Sequence, residues 1–411
     1  MRQKSAILMA ILLVGSLAFP VGAASASNHN ASAYAGTHVE FETTSNAIVN
    51  YSVGGETVIE SMAAQSQSQA VANGDVTAGV ALGLVTQLSG SAVSVASTSE
   101  ASASATVTAE SGATMRAHDS SKGILVVNSS SSESQYVLVN VSSNAEAESE
   151  SDGHVVVTND NGAKASFIAV GDADVTVNDA GNVSADVGAE GKLVVRSYSE
   201  SDARDDDAES QEEMIANGTA AAEVYVQESS DASGEFAAGV ANYSQDTAVE
   251  VTQKSEGEVK MTAERTESEG RVIITSVSEA VIDSTEDLEV MVDGEAAVEA
   301  SSYSELESAT EGGDSSKFLV RQSSSAEASA DVLVALNEFS ERDVTMTEGS
   351  SDGTDNNGDN NNGDDTDTGD NNGDGTDTDG TDDSSQGLSG FGVGVALLAL
   401  LAAAVIAIRN R

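Results

Sequence analysis

Between its two ends the chain alternates short apolar and polar stretches separated by turn residues, the two-residue period of strands with one buried face. Val155-Val156-Val157 leads through Asn159-Asp160-Asn161-Gly162 into Phe167-Ile168-Ala169-Val170, which reads as a hairpin. Val175 to Val177, Asn178 to Gly181 and Val183 to Val187 repeat the arrangement, as do Val249 to Thr252, Lys254 to Gly257 and Val259 to Thr262. Asn-Gly and other glycine-containing turns supply the positive φ angles that tight hairpins require. Alternation of Ala and Ser from Ala101 to Ala105 fits a strand with one face stacked and one wet. Helical periodicity is confined to the two apolar ends, and the one proline, Pro20, lies in the first of them. The pattern predicts an all-β ectodomain over residues 27–348.

Parts of that ectodomain recur. Asp119-Ser120-Ser121-Lys122 precedes Val137-Leu138-Val139, and Asp314-Ser315-Ser316-Lys317 precedes Val332-Leu333-Val334 at the same spacing. A weaker copy runs from Met214 to Val226, and Ser197-Tyr198-Ser199-Glu200 returns as Ser302-Tyr303-Ser304-Glu305. Copying of β units predicts an elongated body, either a solenoid-like stack or tandem β-sandwich repeats. Aromatic residues make up only 3% of the chain, with no Trp. A sandwich core usually draws on such side chains, so the solenoid is the favoured arrangement.

The ends set the expected address. Met1-Arg2-Gln3-Lys4 followed by an apolar run to Val21 has the plan of a secretory signal peptide over residues 1–26, with Ala24-Ser25-Ala26 placing cleavage after Ala26. Val21-Gly22-Ala23 offers a second cleavage site one step earlier. Near the other end, residues 349–386 consist almost wholly of Asp, Asn, Gly, Thr and Ser, too polar to bury a core, and read as a disordered spacer. Residues 387–411 contain the apolar run Phe391 to Ile408, which at about 1.5 Å per residue matches a hydrocarbon core of about 30 Å. Arg409 and Arg411 directly behind it keep that end cytoplasmic and leave the ectodomain outside.

Charge narrows the list of partners. The chain carries 68 Asp and Glu against 17 Lys and Arg, a formal net charge of -51, and this acidity is spread along the chain rather than confined to a tail. A nucleic-acid backbone would be repelled. Self-repulsion on this scale burdens a folded state at ordinary ionic strength, whereas molar salt cuts the screening length to about 3 Å and removes most of the burden. Acidity with scarce lysine is therefore read as adaptation to high salt, the alternative being an acidic secreted protein of a mesophile. With no cysteine, disulfides and thiol ligands are excluded.

The acidic spacer, Gly390-Phe391-Gly392, the apolar helix after it and the closing Arg409-Asn410-Arg411 together resemble the PGF-CTERM sorting signal of haloarchaeal surface proteins, the S-layer glycoproteins among them. The resemblance covers residues 387–411. It implies recognition at Gly390 and Phe391 by an archaeosortase-type processing enzyme, removal of the tail, and attachment of membrane lipid in its place. Ser389 stands where the family has proline, so that position does not carry over. A plain C-terminal transmembrane helix is the other reading.

Seven Asn-x-Ser/Thr sequons fall in the exported part, at Asn30, Asn50, Asn128, Asn140, Asn182, Asn217 and Asn242, and mark candidate N-glycosylation sites. Catalytic motifs are wanting: the sequence has no G-x-S-x-G, no H-E-x-x-H and no phosphate-binding loop. His29, His38, His118 and His154 are scattered and read as surface residues without metal-ligand spacing. Asp374, Asp377 and Asp379 before Gly380 approach a calcium loop, but Gly375 occupies a ligand position and no bidentate Glu follows. No cofactor, metal or enzyme activity is expected.

The leading expectation is a surface-anchored envelope glycoprotein with a structural role, in contact with S-layer or envelope glycans. The alternative is an adhesin or ligand-binding module, which an exposed aromatic cluster would support; Tyr34, Phe41 and Tyr51 are too dispersed along the sequence to supply one. A polysaccharide-active enzyme would need a cleft with converging carboxylates. On gentle lysis of cells in their growth salt, the full chain is expected to sediment with the envelope; recovery in the cytosol would overturn both the export and the anchoring expectation.

Overall fold

The computed structural model describes residues 32–97, 104–199, 204–228, 235–285, 287–322, 329–338 and 340–349, all of them before the division of the chain at Asp352. The signal segment with Ala26, the following His29 and Asn30, most of the Ala101–Ala105 tract, the spacer with its aspartate loop, and the tail with Gly390 and Phe391 lie outside the described residues.

Fifteen strands build the first half: β1 (Ala33–Ala35), β2 (Val39–Thr43), β3 (Ile48–Val53), β4 (Glu56–Ser66), β5 (Val93–Ser97), β6 (Ser104–Ala109), β7 (Ala113–His118), β8 (Leu125–Ser129), β9 (Gln135–Asn140), β10 (Ala145–Ser151), β11 (His154–Asn159), β12 (Lys164–Val170), β13 (Ala173–Val177), β14 (Val183–Val187) and β15 (Lys192–Tyr198). They form a seven-stranded sheet in the order β1-β2-β3-β4-β9-β14-β13 and an eight-stranded sheet in the order β10-β11-β12-β15-β8-β7-β6-β5. The two share one core, in which Val39, Met62, Val137 and Val183 of the first sheet meet Val107, Leu125, Phe167 and Leu193 of the second. Helix α1 (Gln67–Asn73) and the coil after it cover part of the first sheet's outer face, where Ala70, Val76 and Val85 pack on Tyr136.

The second half follows helix α2 (Asp206–Ala216). Its strands are β16 (Ala220–Glu228), β17 (Phe236–Asn242), β18 (Thr247–Ser255), β19 (Glu258–Arg265), β20 (Glu269–Ser278), β21 (Leu288–Val292), β22 (Glu295–Ala296) and β23 (Val298–Glu299); helix α3 (Tyr303–Thr310) then precedes β24 (Lys317–Gln322), β25 (Ser329–Glu338) and β26 (Glu341–Glu348). A six-stranded sheet, β17-β16-β20-β25-β24-β23, faces a five-stranded sheet, β18-β19-β26-β21-β22, across a second core that includes Val224, Ile273 and Val334 on one side and Met261, Val290 and Met346 on the other.

The eight-stranded and six-stranded sheets also use their opposite faces. Ile124, Val126, Ile168 and Val194 from the one join Val272, Ile274, Leu319 and Leu333 from the other in a third core, closed by Met214 and Ile215 of α2 and by Leu306 and Ala309 of α3. Strands between two cores must be apolar on both faces. That is why Leu193-Val194-Val195, Val272-Ile273-Ile274 and Val332-Leu333-Val334 read as continuous apolar runs, with neighbouring residues assigned to different cores.

All three predicted hairpins are present. Val157 pairs with Ala165 around a turn with Gly162 at φ 94°, Val177 pairs with Val183, and Ser255 pairs with Glu258 around Glu256-Gly257. Of the two predicted arrangements, the described residues take the paired-sheet one. Pairing is antiparallel except between β16 and β20 and between β23 and β24, and Val and Ala fill the cores where aromatic residues were expected to be needed.

The sequence repeats are not structural repeats. After Lys122, β8 and β9 enter different sheets, whereas after Lys317, β24 and β25 are hydrogen-bonded neighbours. The Met214–Val226 copy spans the end of α2 and β16. Ser197-Tyr198 ends a strand, but Ser302 caps a helix by accepting from the Glu305 amide while the Glu305 carboxylate accepts from Ser301. Asp205 and Ser66 cap α2 and α1 by accepting from the Ala208 and Gln69 amides, so three helices form where periodicity predicted none.

Gly123, in the turn before β8, has φ 46°, and a Cβ there would run into Val53. Its carbonyl accepts from the buried Tyr51 hydroxyl at 2.9 Å, joining the two sheets of the first half. Gly123→Ala is expected to cost at least about 2 kcal/mol, from left-handed strain and overpacking together; denaturant titration in molar salt measures it.

Candidate functional site

Charged side chains interrupt the apolar runs of the central strands in one place, between the eight-stranded and six-stranded sheets. Lys122 comes from the β7–β8 turn, Arg196 and Tyr198 from β15, Gln211 and Glu212 from α2, Glu223 from β16, Ser276 from β20 and Asp331 from β25. Arg196, Glu212 and Glu223 are at most 1% exposed. A charge so buried persists only when paired and hydrogen-bonded.

Here the pairing is nearly complete. Lys122 donates to Asp331 at 2.7 Å, to Ser276 at 3.2 Å and to Gln211 at 3.3 Å, and lies 3.4 Å from Glu223. Ser276 and Gln211 also donate to Asp331, at 2.6 and 2.8 Å. Arg196 donates to Gln211 at 2.8 Å and to Glu223 at 3.3 Å, and Tyr243 donates to the other Glu223 oxygen at 2.7 Å. Tyr198 donates to Glu212 at 2.6 Å. Arg204, just ahead of α2, holds the second Glu212 oxygen at 2.7 Å and reaches Glu150 of β10 at 2.6 Å. His154 lies 3.4 Å from Glu212 and 2.6 Å from the Ser166 hydroxyl.

Burial by itself would raise the Glu212 carboxyl, yet hydrogen bonds from His154 and Arg204 and the charges of Arg196 and Arg204 outweigh it and hold the group at about 2. Asp331 is lowered by the same contest, burial opposed by the charge and hydrogen bond of Lys122 and by bonds from Ser276 and Gln211. Burial raises Tyr198 and Tyr243 well above the ordinary phenol value, reinforced at Tyr243 by Glu223. These phenols stay protonated as donors. Each of these carboxylates is held by a cation, a hydroxyl or both, and the arrangement is suited to holding two sheets together.

Other predicted residues are distributed as follows. His118 is buried, its Nδ1 lying 3.2 Å from the Tyr225 hydroxyl, and His154 is mostly covered, so neither is the surface residue expected from sequence. Burial, with the Arg116 charge behind it, lowers His118 to about 3. Tyr34, Phe41 and Tyr51, remote in sequence, stack at centroid distances of 5.4 and 6.2 Å; β1, β2 and β3 bring them together, but Phe41 and Tyr51 are buried. Among the sequons, Asn50 and Asn217 are exposed. Asn128, Asn140, Asn182 and Asn242 are half-buried; the Asn140 amide donates to Ser61 and the Asn182 oxygen accepts from Val141. Among the described residues no group of three or more His, Asp or Glu is placed to hold a metal, and no helix is long and apolar enough to cross a membrane.

No family model matches the chain, and none of the curated proteins does. Among solved structures, a mutant of glycoside hydrolase family 81 from Clostridium thermocellum aligns with 78% of this chain at 8% identity and a TM-score of 0.32. The alignment spans 36% of that protein, little more than a third of its length, and a likeness this slight carries no argument about activity.

Two predictions follow from the buried charges. Arg196→Met is expected to destabilise the fold by about 3–5 kcal/mol, because Glu223 loses a charged partner inside the protein. Adding Glu223→Gln should recover at least about 1 kcal/mol, as a double-mutant cycle by denaturant titration would read. The second concerns acid. Glu212 and His118 both titrate lower in the folded state than their ordinary values of 4.5 and 6.5, so the unfolded chain takes up protons first as pH falls. Stability is therefore full at neutral pH, falls between pH 6.5 and about 3 through His118, and falls between pH 4.5 and about 2 through Glu212. Each slope approaches about 1.4 kcal/mol per pH unit. In His118→Leu the upper part of the loss should disappear.

Proposed function

We propose that this chain is an envelope-anchored, acidic surface glycoprotein of a salt-loving archaeon, with a structural role. The observation that carries the reading is the division of its charges. The buried Glu223 and Asp331 are paired with Arg196 and Lys122 across two sheets, while Glu40, Glu42, Glu146 and Glu148 face solvent, so the site with the most concentrated chemistry is a joint. The terminal sequences support export and anchoring. In this reading an archaeosortase-type enzyme acts at Gly390 and Phe391, and membrane lipid replaces the tail.

Glycans belong on Asn50 and Asn217. Both are exposed, and Asn50 has φ 53°, next to the irregularity where β3 pairs with β4, which turns it out of the ladder. At Asn140 a glycan would displace the amide from Ser61.

A ligand-binding module is the second reading, and one feature favours it. An open depression of about 660 Å³ in the second half is lined by Gln245, Asp246, Thr247, Glu264, Arg265, Ser340 and Glu341, among others. Its volume suits a small polar ligand. Arg265 there is engaged by Asp246 at 2.8 Å, and hydrogen bonds and charge from Arg265 hold Asp246 at about 2 against the effect of burial.

Mass spectrometry of the protein from native envelopes tests the leading reading. Expected are a start after Ala26, loss of the residues from about Gly390 onward, added lipid mass, and glycan mass at Asn50 and Asn217 ahead of the other sequons. An unmodified chain with both termini intact would overturn it.

A further inference from the structure

A sheet edge is a row of unpaired backbone groups, and proteins guard such edges with charge, irregularity, brevity or cover. Most edges here are guarded. β10 carries Glu146, Glu148 and Glu150; β18 has Glu250, Lys254 and a bulge after Val251; β13 has Asp174; β1, β22 and β23 are three residues or fewer. β17 is uncharged, but it packs along β18 and is half-buried. β5 is the exception. It closes the eight-stranded sheet with five residues, Val-Ser-Val-Ala-Ser, in unbroken register with β6.

Beyond Val93 the backbone of β5 has no strand partner on its far side among the described residues. The Glu110 amide donates to Ala92, toward β6, and the Val93 amide donates the other way, to Ser45. Strand alternation then turns Ser94 and Ala96 toward β6 and Val95 outward with both its N–H and its C=O. Ser94 and Ala96 have exposed side chains, while Val93 and Val95 pack against the core of the first half.

Charge selects the occupant. Between Glu60 and Glu110 the chain carries only Asp75 and Glu100, in a protein of net charge -51. Two copies of so acidic a chain repel over most of their surfaces, and this edge is where they can approach with little repulsion. We propose that the β5 edge is a strand-addition site for a second copy of this chain, joined antiparallel about Val95 so that the two eight-stranded sheets become one. Val95 of each copy then exchanges both hydrogen bonds with its counterpart, and Ser94 lies opposite Ala96 of the second copy. This two-fold contact is self-complementary, as closed dimers require.

The sequence has no cysteine, which makes cross-linking a clean test. The full chain carrying Ser94→Cys and Ala96→Cys, oxidised in native envelopes in molar salt, is expected to give a covalent dimer, since directly opposed residues bring their Cβ atoms within about 5.5 Å. The same pair of cysteines at Glu146 and Glu148 should give none. In detergent and molar salt, sedimentation of the full chain should show a dimer whose dissociation constant rises at least tenfold in Ser94→Glu/Ala96→Glu, with circular dichroism unchanged. A monomeric chain, a dimer indifferent to the two glutamates, equal cross-linking at β10, or a cross-link to a protein of different mass would each overturn the assignment.

Discussion

The contact on which the rest of the structure depends is the one between Lys122 and Asp331, with Glu223, Gln211 and Arg196 around it. Lys122 and Arg196 belong to the first pair of sheets, Glu223 and Asp331 to the second, and Gln211 to the helix between them. Burying two cations and two carboxylates costs several kcal/mol per ion before their attraction returns any of it. Such a cluster therefore adds little net stability over a well-packed apolar one. Its effect is on arrangement: the sheets have a low-energy packing only where these groups meet, because any slip leaves a charge unpaired in an apolar layer. The third core would otherwise be a smooth contact of Val, Ile and Leu, tolerant of sliding.

A protein this acidic has a second reason to keep ion pairs inside. Surface pairs are weakened by the salt that relieves self-repulsion, whereas pairs removed from solvent are screened far less. The exposed pairs, such as Arg342 with Asp293 and Lys317 with Glu305, belong to the first class, and Arg196 with Glu223 to the second. Of 17 basic residues, several are spent on the joint and its rim, where Arg204 ties α2 to β10.

The hairpins were legible because the two-residue period and glycine turns act locally, and Val177 and Val183 pair as their spacing implies. The pairing of sheets was not. Sandwich and solenoid differ in long-range register, and small residues proved able to fill a core between twisted sheets, with Phe41, Tyr51 and Phe167 as its few large members. Repeated words misled for a similar reason: Ser197-Tyr198 ends a strand where Leu and Val precede it, whereas the same pair at Ser302-Tyr303 starts a helix that Ser302 caps. The joint has a trace in the sequence. Arg196 directly after Leu193-Val194-Val195 and Asp331 directly before Val332-Leu333-Val334 are charges set against runs apolar on both faces, and in a chain poor in arginine the first of these is a signal. The helix caps at Ser66, Asp205 and Ser302 were equally readable.

Amide hydrogen exchange of the full chain, followed from molar salt down to low salt, tests most directly whether the joint is an internal, salt-indifferent lock. If it is, β15, β20 and β25 keep their protection after the outer strands β10 and β18 have lost theirs, because only the surface charges feel the change in screening. Loss of protection in β15 and β25 at the same salt concentration as in β10 and β18 would contradict the account.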